Sequence, residues 1–487
     1  MSQEGFSGPL EQIDECCWRV PKQYKPGMRV EGRIFADERL LPQIRADQAP
    51  EQVANVAFLP GIQEASLAMP DIHWGYGFCI GGVCATDPDQ GGVISPGGVG
   101  YDINCGVRLI RTDLRYSEVQ GRIEELIGAL FQQIPAGVGR GGAYQFGGKA
   151  LDRLLAEGAR YLETKGLATP GDLEHTEAGG SMEGADPQRV SQRAKTRGND
   201  QCGTLGSGNH FLEIQVVEEI FDQKAADLMG LAPDTLCVMI HSGSRGLGYQ
   251  VCDDYLRLFR TVPAKYGIQL PDRQLACAPV DSPEGQAYLA AMRAAANFAW
   301  ANRQLLMWQT REVFAQVFGR SWESLKMNLV YDVAHNIAKI EEHEVQGVRK
   351  TVCVHRKGAT RSFPAGHLEV PPRYRQIGQP VIIPGDMGRS SWVLVGQPAS
   401  MQRTFGTTCH GAGRVLSRSA AVKKAKGRRI DHELAAQGVI ARCRSWKGLA
   451  EEQPDAYKDV SVVVDVVHRA GLASRVARLR PVAVVKG

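Results

Sequence analysis

The chain has 487 residues, enough for one large core or two ordinary domains, and its 43% hydrophobic and 23% charged residues are those of a globular protein. A formal charge of +4 is too slight to argue for or against a polyanionic partner, so only local basic clusters bear on that question. The amino terminus lacks a basic segment followed by an apolar run, and no stretch reaches the roughly 18 uninterrupted apolar residues of a membrane helix, so neither a secretory leader nor a membrane span is expected. Most of the twelve cysteines sit in apolar strings such as LCVMI around Cys237 and TVCVH around Cys353. They read as reduced core thiols, with Cys105 set apart, and point to a reducing, cytoplasmic setting.

Along the chain, residues 60–108 carry little helical periodicity and many turn signals, and predict short strands and tight loops wrapping a site. Ile123, Leu126, Ile127, Leu130, Phe131 and Ile134 then recur at helical spacing and predict an amphipathic helix. The stretch 164–201, polar and rich in Gly, Glu and Arg, reads as a surface excursion. HFLEIQVV, TLCVMI and MNLVYDV are strand-like runs, the last two leading into His241 and His335, with a long Ala-rich helix over about 284–317 between them. RKTVCVHRKGATRSFP predicts a strand leaving a basic turn, QPVIIPGDMGRSSWVLVG two strands around a glycine turn, and RVARLRPVAVVKG a terminal strand. There is no internal repeat and no linker. The motif residues come from both halves, so residues 1–487 are expected to form one α+β domain with large insertions, its strands and helices mixed around a central cleft.

Five residues stand in glycine-rich or tight polar stretches: Cys105 in YDINCGVR, His210 in GSGNHF, His241 in MIHSGSRGLG, His335 in DVAHNIAK and His410 in TTCHGAGR. Cys105 as thiolate, Asp102 three residues before it, and the imidazoles of His210, His241 and His335 form a mixed S/N/O ligand set. Zinc suits the thiolate and imidazoles, while the carboxylate and an open position admit manganese or cobalt; one thiolate can bridge two cations. Any one of these histidines alone is more simply a hydrogen-bonded structural residue. It is their common placement beside Gly, Asn or Ser at strand ends that favours a site. HSGSRGLG, CHGAGR, PGDMGRSS and SPGGVG are turns whose backbone N–H groups can approach an anion, with Arg108, Arg245, Arg414 and Lys357 beside them. His410, flanked by small residues, is either a nucleophile toward a phosphate or a further metal ligand.

Taken in order, MPDIHWGYGF, GVGYDINCGVR, LGSGNHFLEI, HSGSRGLG, AHNIAKIE, HRKGATRSFP, PGDMG, CHGAGR and the terminal VVKG resemble one family over most of the chain. It is that of the RtcB-type RNA ligases, GTP-dependent enzymes joining RNA 3′-phosphate or 2′,3′-cyclic phosphate ends to 5′-hydroxyl ends. The resemblance implies an RtcB-like fold and two manganese ions, with zinc or cobalt as substitutes. One ion would lie on Asp102, Cys105 and His210 and the other on Cys105, His241 and His335, with Cys105 bridging. It implies that His410 becomes guanylylated, and that GTP is met by Asn209, His210, Phe211, Leu212, Glu213, His335, Asn336, Pro384, Gly385, Asp386, Met387, Ser391, His410, Gly411, Ala412, Gly413 and Lys486. Glu213 would accept from guanine N1 and N2, and Lys486 would place a cation near the base. Asp386 departs from the family's serine in that turn; a carboxylate there repels a triphosphate unless it points to a ribose hydroxyl, a metal or the base. Arg108, Arg245, Lys357 and Arg361 are candidate RNA backbone contacts; for Arg418, Lys423 and Lys424 an ordinary solvated-surface role stands equally beside that one. RNA ends are the implied partners, with room for an activating protein of the archease type, no membrane, and a monomer as the default. The alternative is a 3′-phosphate guanylyl-capping enzyme or a metal-dependent phosphohydrolase that joins few strands.

Overall fold

Two large sheets carry the chain in the computed structural model, which describes residues 5–137 and 139–487. The central one has eight strands. Its spatial order is Asn328–Ala334, Gly106–Arg115, Thr235–Ser242, Phe211–Ile220, Ala473–Lys486, Ser391–Gly396 and Pro380–Ile383, with Ile440–Cys443 added parallel to Ala473–Lys486. The second has seven, in the order Glu11–Asp14, Cys17–Val20, Glu31–Phe35, Ala65–His73, Ile80–Thr86, Val348–Lys357 and Asn336–Val345. Strands and helices are thus mixed within one large domain, the α+β architecture expected. Among the described residues, no helix is long and apolar enough to cross a membrane.

The central strands are buried on both faces, which is why they read as nearly continuous apolar runs instead of alternating ones. On one face Ile110, Leu212, Ile214, Val238 and Ile240 pack against Leu306, Met307 and Phe314 of the helix Pro283–Phe318 and against Leu126 and Leu130 of the helix Ile123–Gln133. On the other lie Val107, Leu109, Phe211 and Met239. His241 pairs with Val107 on one side and Phe211 on the other. Strand alternation therefore sends the His241 side chain to the second face, away from the long helix. That helix starts at Pro283, with the Ser282 hydroxyl accepting from the Gly285 N–H at 3.0 Å, and stops at Gly319, whose φ of 64° suits glycine.

Behind the sheet ends, buried charges are fully matched. Asp332 takes both Arg108 and Arg303 at 2.8 Å, with all three side chains 0% exposed. Arg311 clamps Asp172 at 2.7 Å, Arg356 clamps Glu341 at 2.6 Å, and Glu177 takes Lys339 at 2.5 Å. The polar stretch 164–201 forms short helices, among them Pro170–Glu174 and Gln192–Gly198. It is not only a surface excursion, because its Asp172 and Glu177 reach inward to meet these cations.

Candidate metal and nucleotide site

The ends of four neighbouring central strands meet at one edge: Gly106 opens its strand, Ser242 ends the next, Phe211 opens the third and Lys486 ends the fourth. Ala334 pairs with Gly106 from the outer side, bringing His335 to the same edge. Backbone hydrogen bonds lock the turns that carry the ligand candidates. Cys105 N–H donates to the Asp102 carbonyl at 2.9 Å, His335 N–H to the Cys105 carbonyl at 2.9 Å, and Asn104 N–H to the Asn336 carbonyl at 2.7 Å. The Arg303 guanidinium donates to the carbonyls of Asn104 at 2.7 Å and Ser242 at 3.0 Å, so the buried ion pair also braces the site. Gly243 is required by close approach: a Cβ there would stand 2.2 Å from an Asp102 carboxylate oxygen.

Asp102, Cys105, His210, His241 and His335 converge. Cys105 Sγ lies 3.4 Å from His210 Nε2 and 3.2 Å from His241 Nε2; His210 Nε2 lies 2.8 Å from Asp102 Oδ2, and His241 Nε2 lies 3.2 Å from His335 Nε2. His210 Nδ1 donates to the Leu205 carbonyl at 3.0 Å, which sets Nε2 against the Asp102 carboxylate. Burial drives His241 and His335 well below the usual imidazole range, so both are neutral, and neither Nδ1 has a hydrogen-bond partner. Burial works to raise the Asp102 carboxyl, but the facing His210 overrides it and holds the group at about 2. Burial pushes the Cys105 thiol well up, so a thiolate there requires a cation beside it. Ring nitrogens, a carboxylate oxygen and a sulfur crowd within 3.4 Å of one another, and all are atoms that ligate a cation once their protons leave. The residues therefore fit a divalent cation, or two sharing Cys105.

His410 stands across the same cavity, its ring centroid 4.9 Å from that of His335. Its Nδ1 donates to Asp71 Oδ2 at 2.5 Å, and Oδ2 also accepts from the N–H groups of His410 at 3.0 Å and Gly411 at 3.2 Å. Burial tends to raise Asp71, but His410 and these donors hold it below the usual carboxylate range. The proton on Nδ1 leaves the Nε2 lone pair free. Sequence reasoning missed Asp71, although a carboxylate inside the largely apolar nine-residue strand Ala65–His73 was a signal that a buried partner awaits it. Gly413 is fixed by contact with the same strand: its φ is +74° and a Cβ would meet the Asp71 carbonyl oxygen at 2.3 Å.

Of the residues expected to meet a nucleotide, Asn209, Phe211, Glu213, His335, Asn336, the run 384–387, the run 410–413 and Lys486 line the cavity. His210 lies just behind, among the ligand candidates. Leu212 and Ser391 do not line it. Alternation turns Leu212 into the core on the helix face, and Ser391 sits under the loop, its hydroxyl accepting from Gly385 N–H at 3.1 Å and Gln215 at 3.0 Å. Burial raises Glu213 well above the usual carboxylate range, with Lys486 and Gln215 only partly offsetting it. Asp386 uses Oδ1 to accept from Gly388 and Arg389 N–H, both at 3.0 Å, while Oδ2 is buried without a hydrogen bond. Burial pushes it up to about 6, Arg389 at 3.3 Å notwithstanding. His73, inside the motif MPDIHWGYGF, also lines the cavity, as do Glu452 and Tyr457, which had no signal in their local sequence, and Arg418, for which RNA contact and solvated surface both stood open.

The expected RNA contacts need correction. Arg108 and Arg361 are buried in ion pairs with Asp332 and with Glu177 and Glu369, and the Lys357 ammonium is held by the carbonyls of Tyr76, Phe78 and Gly97. Arg245 is half-buried and donates to Thr204 at 3.1 Å. For Arg108, Arg361 and Lys357 the partners leave nothing for a phosphate, whereas the terminal nitrogens of Arg245 are not taken up in this way.

Residues 52–487 match the family described as "tRNA-splicing ligase RtcB". A protein of that name from Thermococcus kodakarensis is 54% identical over 479 residues, 98% of this chain and 99% of its own length, and one from Archaeoglobus fulgidus is 53% identical over 487 residues, all of both chains. An "RNA-splicing ligase RtcB" from Mycobacterium bovis is 53% identical over 438 residues, 90% of this chain and 100% of its own. With that match over most of the chain, and relatives above half identity along its whole length, the protein belongs to the RtcB family.

Proposed function

We propose that the protein is an RNA ligase that joins 3′-phosphate or 2′,3′-cyclic phosphate ends to 5′-hydroxyl ends, using GTP and manganese through a covalent His410–GMP intermediate. The observation that carries this reading is the Asp71–His410 pair. It sets a histidine with a free Nε2 lone pair opposite a cluster of ligand-type atoms suited to cations, in the cavity that also holds Glu213 and Lys486. Relatives named as tRNA-splicing or RNA-splicing ligases agree with RNA joining.

In this mechanism His410 Nε2 attacks the α-phosphorus of GTP; the P–N bond forms as the bond to pyrophosphate breaks. The imidazole becomes positively charged, and the Asp71 carboxylate, held ionised, stabilises that charge through Nδ1–H without taking the proton. An RNA 3′-phosphate oxygen then attacks the same phosphorus, the P–N bond breaks, and His410 returns to neutral. The 5′-hydroxyl of the second strand attacks the activated 3′-phosphate and displaces GMP. Asp102, Cys105 and His210 would hold one cation and Cys105, His241 and His335 the other, supplying positive charge where phosphates approach one another. Glu213 reads the guanine edge: protonated or not, it keeps an oxygen to accept from N1–H or the 2-amino group.

Incubation with α-labelled GTP and manganese tests this. The wild type should acquire an acid-labile, base-stable label that His410→Ala lacks altogether, and addition of RNA ends should discharge it into joined strands. An unlabelled wild type would sink the reading, and a label that forms but passes no further than a capped 3′ end would replace joining by capping.

A further inference from the structure

Three rings outside the cavity form a continuous surface that the fold leaves open. Tyr249, on the helix Arg245–Leu258, is 47% exposed and stacks on Tyr101 with centroids 4.7 Å apart. Tyr101 in turn meets Tyr76 edge-on at 5.7 Å, and Tyr76 is itself 36% exposed. The exposed Arg197 guanidinium lies 5.3 Å from the centroid of the Tyr249 ring. A single exposed aromatic is ordinary, because more than half of any protein surface is apolar; three in contact, with a cation against the outermost, form a patch that needs a partner.

The cations around the rings are not ion-paired. Arg260 and Arg273 share a cleft with Tyr76 and Tyr101, both are exposed, and among the described residues neither they nor Arg197 form an ion pair with a carboxylate. The acids nearby are engaged: Asp253 pairs with Arg257 at 2.8 Å, and Asp272 accepts from Gln274 N–H at 2.8 Å. The surface is also tied to the cavity at both ends of its sequence. Tyr101 immediately precedes Asp102, and Tyr76 lies three residues after His73; Asp102 and His73 line the cavity, whereas none of the three tyrosines does.

Stacked rings take the faces of unpaired bases irrespective of sequence, and guanidinium groups take the phosphates between them. A duplex hides its base faces and could use only the arginines. We propose that Tyr76, Tyr101 and Tyr249, with Arg197 and Arg260, bind an unpaired RNA strand and lead its end to the Asp102 side of the cavity. The proposal rests on the RNA-joining reading above. It also replaces the four buried or half-buried cations that the sequence suggested as RNA contacts with exposed ones.

The test is the anisotropy of a dye-labelled single-stranded RNA of about twelve nucleotides, carrying a 3′-phosphate, titrated with the full chain without GTP. Tyr249→Leu should weaken binding about tenfold, the loss of one stacked base, while Tyr249→Phe, which keeps the ring, should stay within about twofold of wild type. Equal melting temperatures of the two variants establish that both fold. The double variant Arg197→Gln/Arg260→Gln should flatten the slope of log affinity against log salt by about 1.4. The same RNA annealed to its complement should bind wild type and Tyr249→Leu alike. Single-strand affinity untouched by Tyr249→Leu would overturn the proposal, and so would equal losses in the Leu and Phe variants; either would leave the patch to a protein partner. Guanylylation of the wild type decides the ligase reading separately: a protein that takes no guanylate but loses RNA with Tyr249→Leu would sink that reading and keep the stripe.

Discussion

Two buried polar clusters lie on the same strands, three residues apart, and are built in opposite ways. Arg108 and Asp332 belong to the framework; Cys105 and His335, each three residues along the chain from one of them, belong to the site. In the framework, Asp332 meets two guanidinium groups, and Asp172 and Glu341 each meet one, every pair with its lone pairs and protons matched. In the site, ligand-type atoms crowd one another, two imidazole Nδ1 atoms have no partner, and a buried carboxylate oxygen of Asp386 accepts no hydrogen bond. Cys105, His241 and His335 are nearly as buried as the framework, while Asp102 opens to the cavity. Single unpartnered atoms, such as Tyr288 Oη and Trp300 Nε1, also occur elsewhere in the core. The difference teaches that a gathering of ligand-type side chains with no built-in counter-charge marks where something from outside completes the set.

The largest effect should come from unmatching the framework. Asp332→Ala strands two buried guanidinium groups, and removal of one partner of a buried pair costs about 3–5 kcal/mol, so urea unfolding should show at least that loss. An unchanged midpoint would mean that these pairs do not hold the sheet edge. The site should respond with the opposite sign. Asp386 holds its proton more tightly folded than unfolded, about 6 against 3.8, so its contribution to stability is full below pH 3.8 and lost as pH rises through 6. Asp386→Asn should therefore stabilise the protein by about 3 kcal/mol at pH 7.5 and by nothing measurable near pH 3.5, read as melting temperature against pH. A variant that is equally stable relative to wild type at both pH values would mean that the carboxyl is not raised. Smallest in stability is Cys105→Ala. Metal-free, it should unfold within about 1 kcal/mol of wild type, yet it should lose the gain of about 2.7 kcal/mol that manganese at a hundred times its dissociation constant gives the wild type. If the variant keeps that gain, Cys105 is not a shared ligand.

How much of this was legible in the chain depended on whether a partner was near in sequence. The strands around His241 and His335 and the 36-residue Ala-rich helix were readable because burial on both faces and helical periodicity are local patterns. The ligand candidates were readable because strand ends with Gly, Asn or Ser beside a Cys or His are local too. The framework was not: Arg303 sits in mid-helix as one more long polar residue, and only the fold brings it to Asp332 and to the carbonyls of Asn104 and Ser242. For the same reason Arg108 and Arg361 were read as RNA contacts, since a basic residue beside a turn looks solvated until its carboxylate is known. The segment 60–108 was read as short strands and loops because Pro70 and its glycines break every run. The structure instead has the strands Ala65–His73 and Ile80–Thr86, with a register shift between Ala68 and His73 that accommodates Pro70. That irregular stretch carries Asp71, and its distortion hid the partner of His410.

The strand order of the central sheet sets a timetable for the cell. Ala473–Lys486 lies between Phe211–Ile220 and Ser391–Gly396 and pairs with both. A ribosome releases segment 211–220 long before it releases 473–486, so the earlier strand waits with an open apolar edge while more than two hundred further residues are made. Such pairings are slow to form and prone to wrong partners in the interval. The edge that Lys486 completes is the one on which His210 and His241 converge, so a nascent or truncated chain lacking that strand would carry histidines and the Cys105 thiol able to capture metal before the cavity exists to use it.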